Sequence, residues 1–380
     1  MKIIKIFLLS GLILAGVSAQ DHINAMKVPG NVAKIGPESK AWFSAEYIDI
    51  TLYPQGINKF VEGEKSKKAR VKALHDGNSI SFLIEWKDTT KNTKKDRCSK
   101  VQVDGFALQI PLNYSDVSKL PYISMGNKDR PVVVHLRKAD EEDYRVNGFQ
   151  ELDEYYDTFH NPIKKNSKKD KSHIFITEGF NSVIKKQYDA DSGVMDMVYK
   201  DGFWKGTLSR PLKAEYFDLS NGSFPVSIVT WDGNLTNSNK IEYLSSWIGV
   251  KFFGERDGEE LLDSLESQIA GDIYNGEKLA IENCAACHNF ADTTMAPAYM
   301  APNLSNIGGY STEQYLLESI IEPSAVIVPN HKSNEQTDFP WYNLDEDGNF
   351  VSTMPSYEWM DEDSINDLVT YFKTLKAPIE

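Results

Sequence analysis

The sequence predicts a mainly β N-terminal domain, an antiparallel sandwich or barrel, followed by a small all-α domain. Three observations carry this. Between about residues 28 and 252, short apolar runs are separated by Gly, Asp, Asn and Pro, the punctuation of strands and turns. From about residue 261 the apolar spacing lengthens to that of helices. A chain of 380 residues, 41% hydrophobic and 11% aromatic, is long enough for two domains and can fill both cores.

The chain begins MKIIKIFLLSGLILAGVSAQ. A basic start (Lys2, Lys5) precedes an apolar run from Ile6 to Val17 and the small-residue ending Val17-Ser18-Ala19. This is the pattern of a secretory signal peptide over residues 1–19, with cleavage before Gln20. The run is short for a membrane span, and no other segment approaches one. The mature protein is therefore expected without a stable membrane span, in the periplasm or another exported compartment. Three cysteines are too few to staple an exported chain of this length. The net charge of −14 argues against nucleic acid as a partner, since that requires basic patches.

SISFLIEW (79–86), DGFALQIPL (104–112), RPVVVHLRK (130–138), FWKGTLSRPL (203–212) and FPVSIVTW (224–231) read as antiparallel strands. Residues 139–190, which include KKNSKKDK, read as a long solvated loop. GERDGEE (254–260) is a polar joint, and the domain boundary is placed there. The β domain then spans 20–253, the joint and a first helix 254–267, and the helical domain 268–380. Leu261, Leu265, Ile269, Ile273 and Tyr274 fall at helical spacing. The last segment, DEDSINDLVTYFKTLK, opens on acidic capping residues and aligns Ile365, Leu368, Val369, Phe372 and Leu375 on one face.

The chemistry is most legible in GEKLAIENCAACHNF (276–290). Cys284, Cys287 and His288 form Cys-X-X-Cys-His, the attachment signature of a c-type haem. Two thiols on one helical turn can add to the two vinyl groups of a haem, and the adjacent imidazole reaches the iron from the same side. A redox dithiol would need a thioredoxin-like βαβ setting, and zinc a second ligand pair; neither is present in the sequence. For the sixth position a thioether is a good partner to haem iron. Met295 and Met300 follow His288 too closely to reach the opposite face, and Met360 abuts the last helix. Met354, in VSTMPSY ahead of that helix, is the candidate, with His331 as its rival. The histidines His75, His135, His160 and His173 are scattered and read as surface or strand residues rather than ligands.

From about residue 268 onward, CAACH, APNL (301–304), IIEPSAVIVPN (320–330), TMPSY (353–357) and the terminal helix occur in the order of class I cytochrome c, which this segment resembles closely. The resemblance implies that the carbonyl of Pro302 accepts a hydrogen bond from His288, fixing its ring.

Further resemblance lies in the β region. KVPGNVAKIGPESKAWFSAEYIDITLYPQ (27–55), LPYISMGNKDRPVVVHLRK (120–138), EGFNSVIKKQ (178–187), YKDGFWKGTLSRPL (199–212) and FPVSIVTWDGNLTNSNKIEYLSSWIGVKF (224–252) occur in order. Together they resemble the haem-b-binding γ subunits of the type II dimethyl-sulfoxide-reductase family, which includes ethylbenzene dehydrogenase, selenate and chlorate reductases and nitrite oxidoreductase. The resemblance implies an antiparallel β-sandwich holding one non-covalent haem b between Met125 and Lys240, with Lys213 as the fallback lysine. A lysine ligates iron only as the neutral amine, so burial must offset its usual pKa of about 10.4.

The expectation is thus a mainly β chain, an antiparallel β-sandwich haem b domain followed by a small all-α class I cytochrome c domain. The resemblance implies a non-catalytic, dihaem electron-transfer (γ) subunit with one covalent haem c and one haem b. Its partners would be a molybdenum catalytic α subunit, an iron–sulfur β subunit and a soluble c-type cytochrome. The fused cytochrome domain points most toward a nitrite-oxidoreductase-like complex. The alternatives are a β-sandwich binding module tethered to a monohaem cytochrome c, and a peroxidase-type haem enzyme with an open iron position. Cys98 has no partner once Cys284 and Cys287 carry haem, and reads as an inert thiol.

Overall fold

The structure is a computed structural model that describes residues 22–56, 63–93, 103–122, 125–139, 172–179, 183–187, 193–215, 217–220, 222–234, 241–254, 259–297, 300–327 and 341–380. The signal-peptide segment, Cys98, His160, Lys240 and His331 lie outside the described residues.

One side of the N-terminal domain is built from β2 (Ile48–Gly56), β3 (Lys67–His75) and β4 (Ser79–Lys87), paired antiparallel in chain order. It is completed by β10 (Phe203–Pro211) along the whole of β4, and by β9 (Val194–Lys200). The other side runs β5 (Gly105–Pro111), β6 (Val132–Lys138), β7 (Ser172–Thr177) and β8 (Val183–Gln187), each antiparallel to the one before. Two long strands turn the corners. In β13 (Ser223–Trp231) the first half pairs with β15 (Ile248–Phe252) and the second half with β5. In β2 the first half pairs with β3 and the end with β14 (Ile241–Leu244). Thirteen strands thereby form one sheet folded on itself as a sandwich. The first strand, β1 (His22–Lys27), departs from the antiparallel expectation, running parallel to both β15 and β3. A two-residue hairpin, β11 (Lys213–Ala214) with β12 (Phe217–Asp218), stands apart.

Strand alternation sorts side chains onto two apolar faces. Phe106, Leu108 and Ile110 of β5 enter the core between the layers, with Phe82 and Ile84 of β4 and Phe224, Val226 and Ile228 of β13. Truncating one of these, Leu108→Ala for instance, would cost roughly 2–5 kcal/mol. The opposite face, Ala107 of β5, Val132, Val134 and Leu136 of β6, Phe175 of β7 and Val229 of β13, belongs to a second cluster shared with the C-terminal domain. Burial on both faces explains why β5 and β6 read as almost unbroken apolar runs. The stretch read as one long loop, 139–190, contains β7 and β8. SHIFIT carries a short buried run, Ile174 to Thr177, but the charged residues before it masked the signal. His75, His135 and His173 are strand residues; His75 stacks on Phe252 with ring centroids 4.4 Å apart.

Helices follow: α1 (Glu259–Glu266), α2 (Ile273–Asn283), α3 (Ile307–Tyr310), α4 (Glu313–Ile321) and α5 (Glu362–Thr374). A hairpin of β16 (Tyr342–Leu344) and β17 (Phe350–Ser352) adds to the expected all-α domain. The helical spacing from Leu261 to Tyr274 does not describe one helix. Asp272 caps α2 by accepting from the amides of Tyr274 and Asn275, ending any continuation from α1. Ile273 and Tyr274 are exposed, and α2 turns Gly276 and Ala280 inward instead. The reason is the crossing with α5, where a Cβ at Gly276 would stand 2.0 Å from the Asp367 carbonyl oxygen. On α5 the five expected apolar residues, Ile365 through Leu375, are all buried.

The two domains are docked. Leu262 of α1 is buried against Gly249 of β15. Arg130 forms a two-pronged ion pair with Glu318 of α4, at 2.7 and 2.5 Å. Asn306 donates to the Pro54 carbonyl at 2.5 Å, and Gly309 approaches the Tyr53 ring so closely that no Cβ would fit. Ser66 exchanges backbone hydrogen bonds with Pro378 and Glu380 at 2.8 and 3.0 Å. No described helix is long and apolar enough to cross a membrane.

Candidate haem-binding sites

The covalent turn is positioned by α2 and α5. Asp367 of α5, which is buried, accepts from the Asp272 amide at 2.5 Å and from Asn275 Nδ2 at 2.7 Å, fixing the start of α2. The helix ends at Cys284, whose carbonyl accepts from the amides of Cys287 and His288 at 3.1 and 2.9 Å. This turn buries Cys284 and leaves Cys287 exposed. The donor atoms of Cys284, Cys287 and His288 do not gather within 4.8 Å of one another, as a zinc chelate would require. Thiols spread along a turn suit the edge of a macrocycle better.

His288 is buried, and its Nδ1 donates to the Pro302 carbonyl at 2.8 Å. That hydrogen bond selects the tautomer with a free Nε2, the form a haem iron needs. Burial pushes the imidazole pKa down against the pull of the carbonyl, keeping the ring neutral. Burial, with Cys287 adding to it, pushes the Cys284 thiol up to about 12. Asn289 braces the following loop, donating to the Ala296 carbonyl at 3.0 Å and accepting the Ala296 amide at 3.1 Å.

Met354 is half-buried and lies two residues past the end of β17. Its loop is fastened to α4 by the Tyr357 amide on the Ile320 carbonyl (3.0 Å) and by Ser356 Oγ on the Ile321 carbonyl (2.5 Å). The Tyr357 hydroxyl reaches back to the Asn283 carbonyl at 2.8 Å, drawing this loop over the cysteine turn. Tyr357 and its role as a strap were not foreseen from sequence. Met295 and Met300 are exposed, and Met360 packs into the shared apolar cluster.

In the sandwich, Met125 is half-buried against the outer apolar face. Its backbone is left-handed, with φ of 69°, a conformation that costs a bulky residue about 1 kcal/mol. Its surroundings hold it there. The Met125 amide donates to buried Gln109 Oε1 at 3.1 Å, and its carbonyl accepts from Gly179 at 2.8 Å. Gly126 follows, also left-handed, where a Cβ would meet the Arg130 carbonyl oxygen at 2.8 Å. A methionine held in this conformation against an apolar sheet face is a residue that could hold a flat apolar cofactor. Lys240 precedes β14 and lies outside the described residues. The fallback, Lys213, is exposed and pairs with Asp218 at 3.2 Å, far from the setting an iron-bound amine needs.

A mainly β domain carrying a methionine loop, joined to a helical domain carrying Cys-X-X-Cys-His, defines an electron-transfer haem protein of two modules. The ethylbenzene dehydrogenase family model matches residues 39–242, more than half of the chain, and the cytochrome c family model matches residues 273–376. The chain belongs to the ethylbenzene dehydrogenase family, here joined to a cytochrome c domain, and is an electron-transfer haem subunit of the molybdoenzyme class. No curated protein sequence matches it. Two solved structures of a family 9 carbohydrate-binding module from Caldicellulosiruptor kristjanssonii, with glucose and with cellotriose, align at 10% identity. They cover 62% of this chain and 96% and 95% of theirs, with TM-scores of 0.32 and 0.34. Likeness of that degree says nothing about what this chain binds.

Proposed function

We propose that this chain is the non-catalytic dihaem subunit of an exported molybdenum oxidoreductase, most like nitrite oxidoreductase. It relays electrons between an iron–sulfur subunit and a soluble c-type cytochrome. Cys284 and Cys287 would hold haem c covalently, with His288 and Met354 holding its iron. Met125 and Lys240 would hold haem b. Both groups, when bound, supply reversible one-electron exchange at iron. The chain's own part is to place and insulate them. Pro302 orients His288, Gln109 holds the Met125 backbone, and Tyr357 ties the Met354 loop down. With two protein ligands at each iron, neither site would offer a position to oxygen, peroxide or nitrite.

One observation carries this reading: a haem-subunit module and a cytochrome module share one chain, and Arg130 of the Met125 loop is ion-paired to Glu318 of the cytochrome module. The test is a haem count on the purified protein by pyridine haemochrome, before and after acid-acetone extraction. Two haems per chain are expected, one extractable and one covalent. A count of one would leave the N-terminal half a plain binding sandwich beside a monohaem cytochrome.

A further inference from the structure

We propose that Asp88, Asp104 and Asp232 form a binding site for a hard divalent cation, calcium by preference, at the end of the sandwich where β4, β5 and β13 meet. Asp88 directly follows β4, Asp104 directly precedes β5, and Asp232 directly follows β13. One carboxylate oxygen from each lies within 4.8 Å of the other two. Asp88 and Asp104 are 4% and 0% exposed, so two of the three charges are almost out of water. Like charges so placed repel unless something positive or a proton intervenes.

An independent observation points the same way. Asp88 Oδ1 accepts from the amide and hydroxyl of Thr90 at 2.9 and 3.1 Å. Its other oxygen, Oδ2, is buried with no hydrogen-bond partner. A buried carboxylate oxygen without a donor is rare and calls for a ligand. Among the described residues no lysine or arginine is ion-paired with any of the three. Lys67 is the cation that acts on Asp88, and its ammonium sits over the Tyr243 ring, 4.3 Å from the centroid.

The neighbours orient the carboxylates without neutralising them. Asp104 accepts from the Asn92 amide (2.7 Å), Trp204 Nε1 (3.0 Å) and the Gly233 amide (2.8 Å). Asp232 accepts from the Asn234 amide at 2.8 Å. Two neutral oxygens stand beside them: Thr90 Oγ1, whose single proton is shared among Asp88 and its neighbours, lies 2.9 Å from Asn92 Oδ1 and 3.4 Å from Asp232 Oδ1. The donor set contains oxygen only, with no thiolate or imidazole, which selects a hard cation over zinc or copper. Calcium takes oxygens at roughly 2.3–2.6 Å in flexible geometry and accepts carboxylates already fixed by the fold, whereas the smaller magnesium demands a near-ideal octahedron and keeps its waters. Burial, with the neighbouring carboxylates, pushes Asp104 up to about 7 and raises Asp88, so a shared proton is the competing way to relieve the cluster and is tested below.

The experiment uses the purified full-length holoprotein, stripped with a chelator and titrated with calcium chloride by calorimetry. Magnesium chloride is the comparator. Terbium gives a second readout, since Trp204 touches Asp104 and would sensitise its emission. One calcium per chain is expected, with a raised melting temperature and terbium emission that calcium displaces. Asp232→Asn, at the most accessible of the three, should weaken calcium binding at least tenfold with haem content and far-ultraviolet dichroism unchanged. Absence of calcium heat and terbium emission in wild type overturns the site, whatever the variants do. So does equal affinity in wild type, Asp232→Asn and Asp88→Asn. Magnesium binding tighter than calcium overturns the choice of ion. A melting temperature indifferent to calcium that falls between about pH 5 and pH 8 would show that the carboxylates share a proton instead.

Discussion

Gly276→Ala tests the contact that sets the cofactor turn. On an exposed helix this exchange would stabilise by about 1 kcal/mol, because alanine is the better helix former. Here the added methyl would lie 2.0 Å from the Asp367 carbonyl oxygen, 2.6 Å from its carbon and 2.8 Å from Tyr371 Cβ. Ordinary contact begins at 3.4 Å, so α2 must retreat from α5 by about 1.4 Å, the difference of 3.4 and 2.0. Overpacking of that kind costs roughly 1–3 kcal/mol. The retreat also stretches the two hydrogen bonds to Asp367, worth about 1 kcal/mol each. The sum outweighs the helix-propensity gain and leaves a net loss of about 2 kcal/mol or more. Guanidinium unfolding of the purified protein, followed by helical dichroism, reads it as a lower midpoint. Lys278→Ala on the exposed side of α2 is the control, where only a 3.9 Å surface pair with Glu282 is lost. A midpoint in Gly276→Ala equal to or above wild type would refute the close-crossing argument.

Met354→His should keep haem c six-coordinate but lower its reduction potential, since imidazole favours ferric iron more than thioether does. An unchanged potential in a redox titration would move the ligand elsewhere, to His331 first. Lys240→Ala should make haem b high-spin or easily lost while haem c stays unaltered. Lys213→Ala should change neither spectrum, because Lys213 is held at the surface by Asp218. Burial lowers Lys373 to about 8 while its ammonium donates to the Ser311 carbonyl at 2.6 Å. Its folded pKa lies below the unfolded value of about 10.4, so the folded state binds fewer protons between those limits and gains stability as pH rises through them. The advantage of Lys373→Met over wild type should therefore shrink by up to about 3 kcal/mol between pH 8 and pH 10.5, and a constant difference in denaturation midpoints would contradict it.

What could be read from sequence was what is local. The chemistry of haem attachment confines Cys284, Cys287 and His288 to five consecutive positions, so their spacing alone names the cofactor. The face of α5 was legible because large apolar residues mark it, whereas α2 packs through Gly276 and Ala280, which carry no hydrophobic signal. β7 was hidden because charged residues precede a strand too short to outweigh them. Met125 was singled out by family resemblance and by nothing in its local pattern; its left-handed backbone and Gln109 partner exist only in the fold. The three aspartates were illegible for a related reason. Positions 88, 104 and 232 meet only because β13 pairs with β5, and β4 ends beside them.

The docking of the two domains has a consequence for kinetics. A cytochrome on a loose tether exchanges electrons only when it swings into range, so its rate falls as the solvent thickens. Here Arg130 grips Glu318, Asn306 is seated on Pro54, and Ser66 is laced to residues 378–380. If both halves carry haem as proposed, the gap an electron must tunnel would be set by packed side chains. Passage between the halves should be indifferent to viscosity, leaving only the encounters with outside partners to feel the medium.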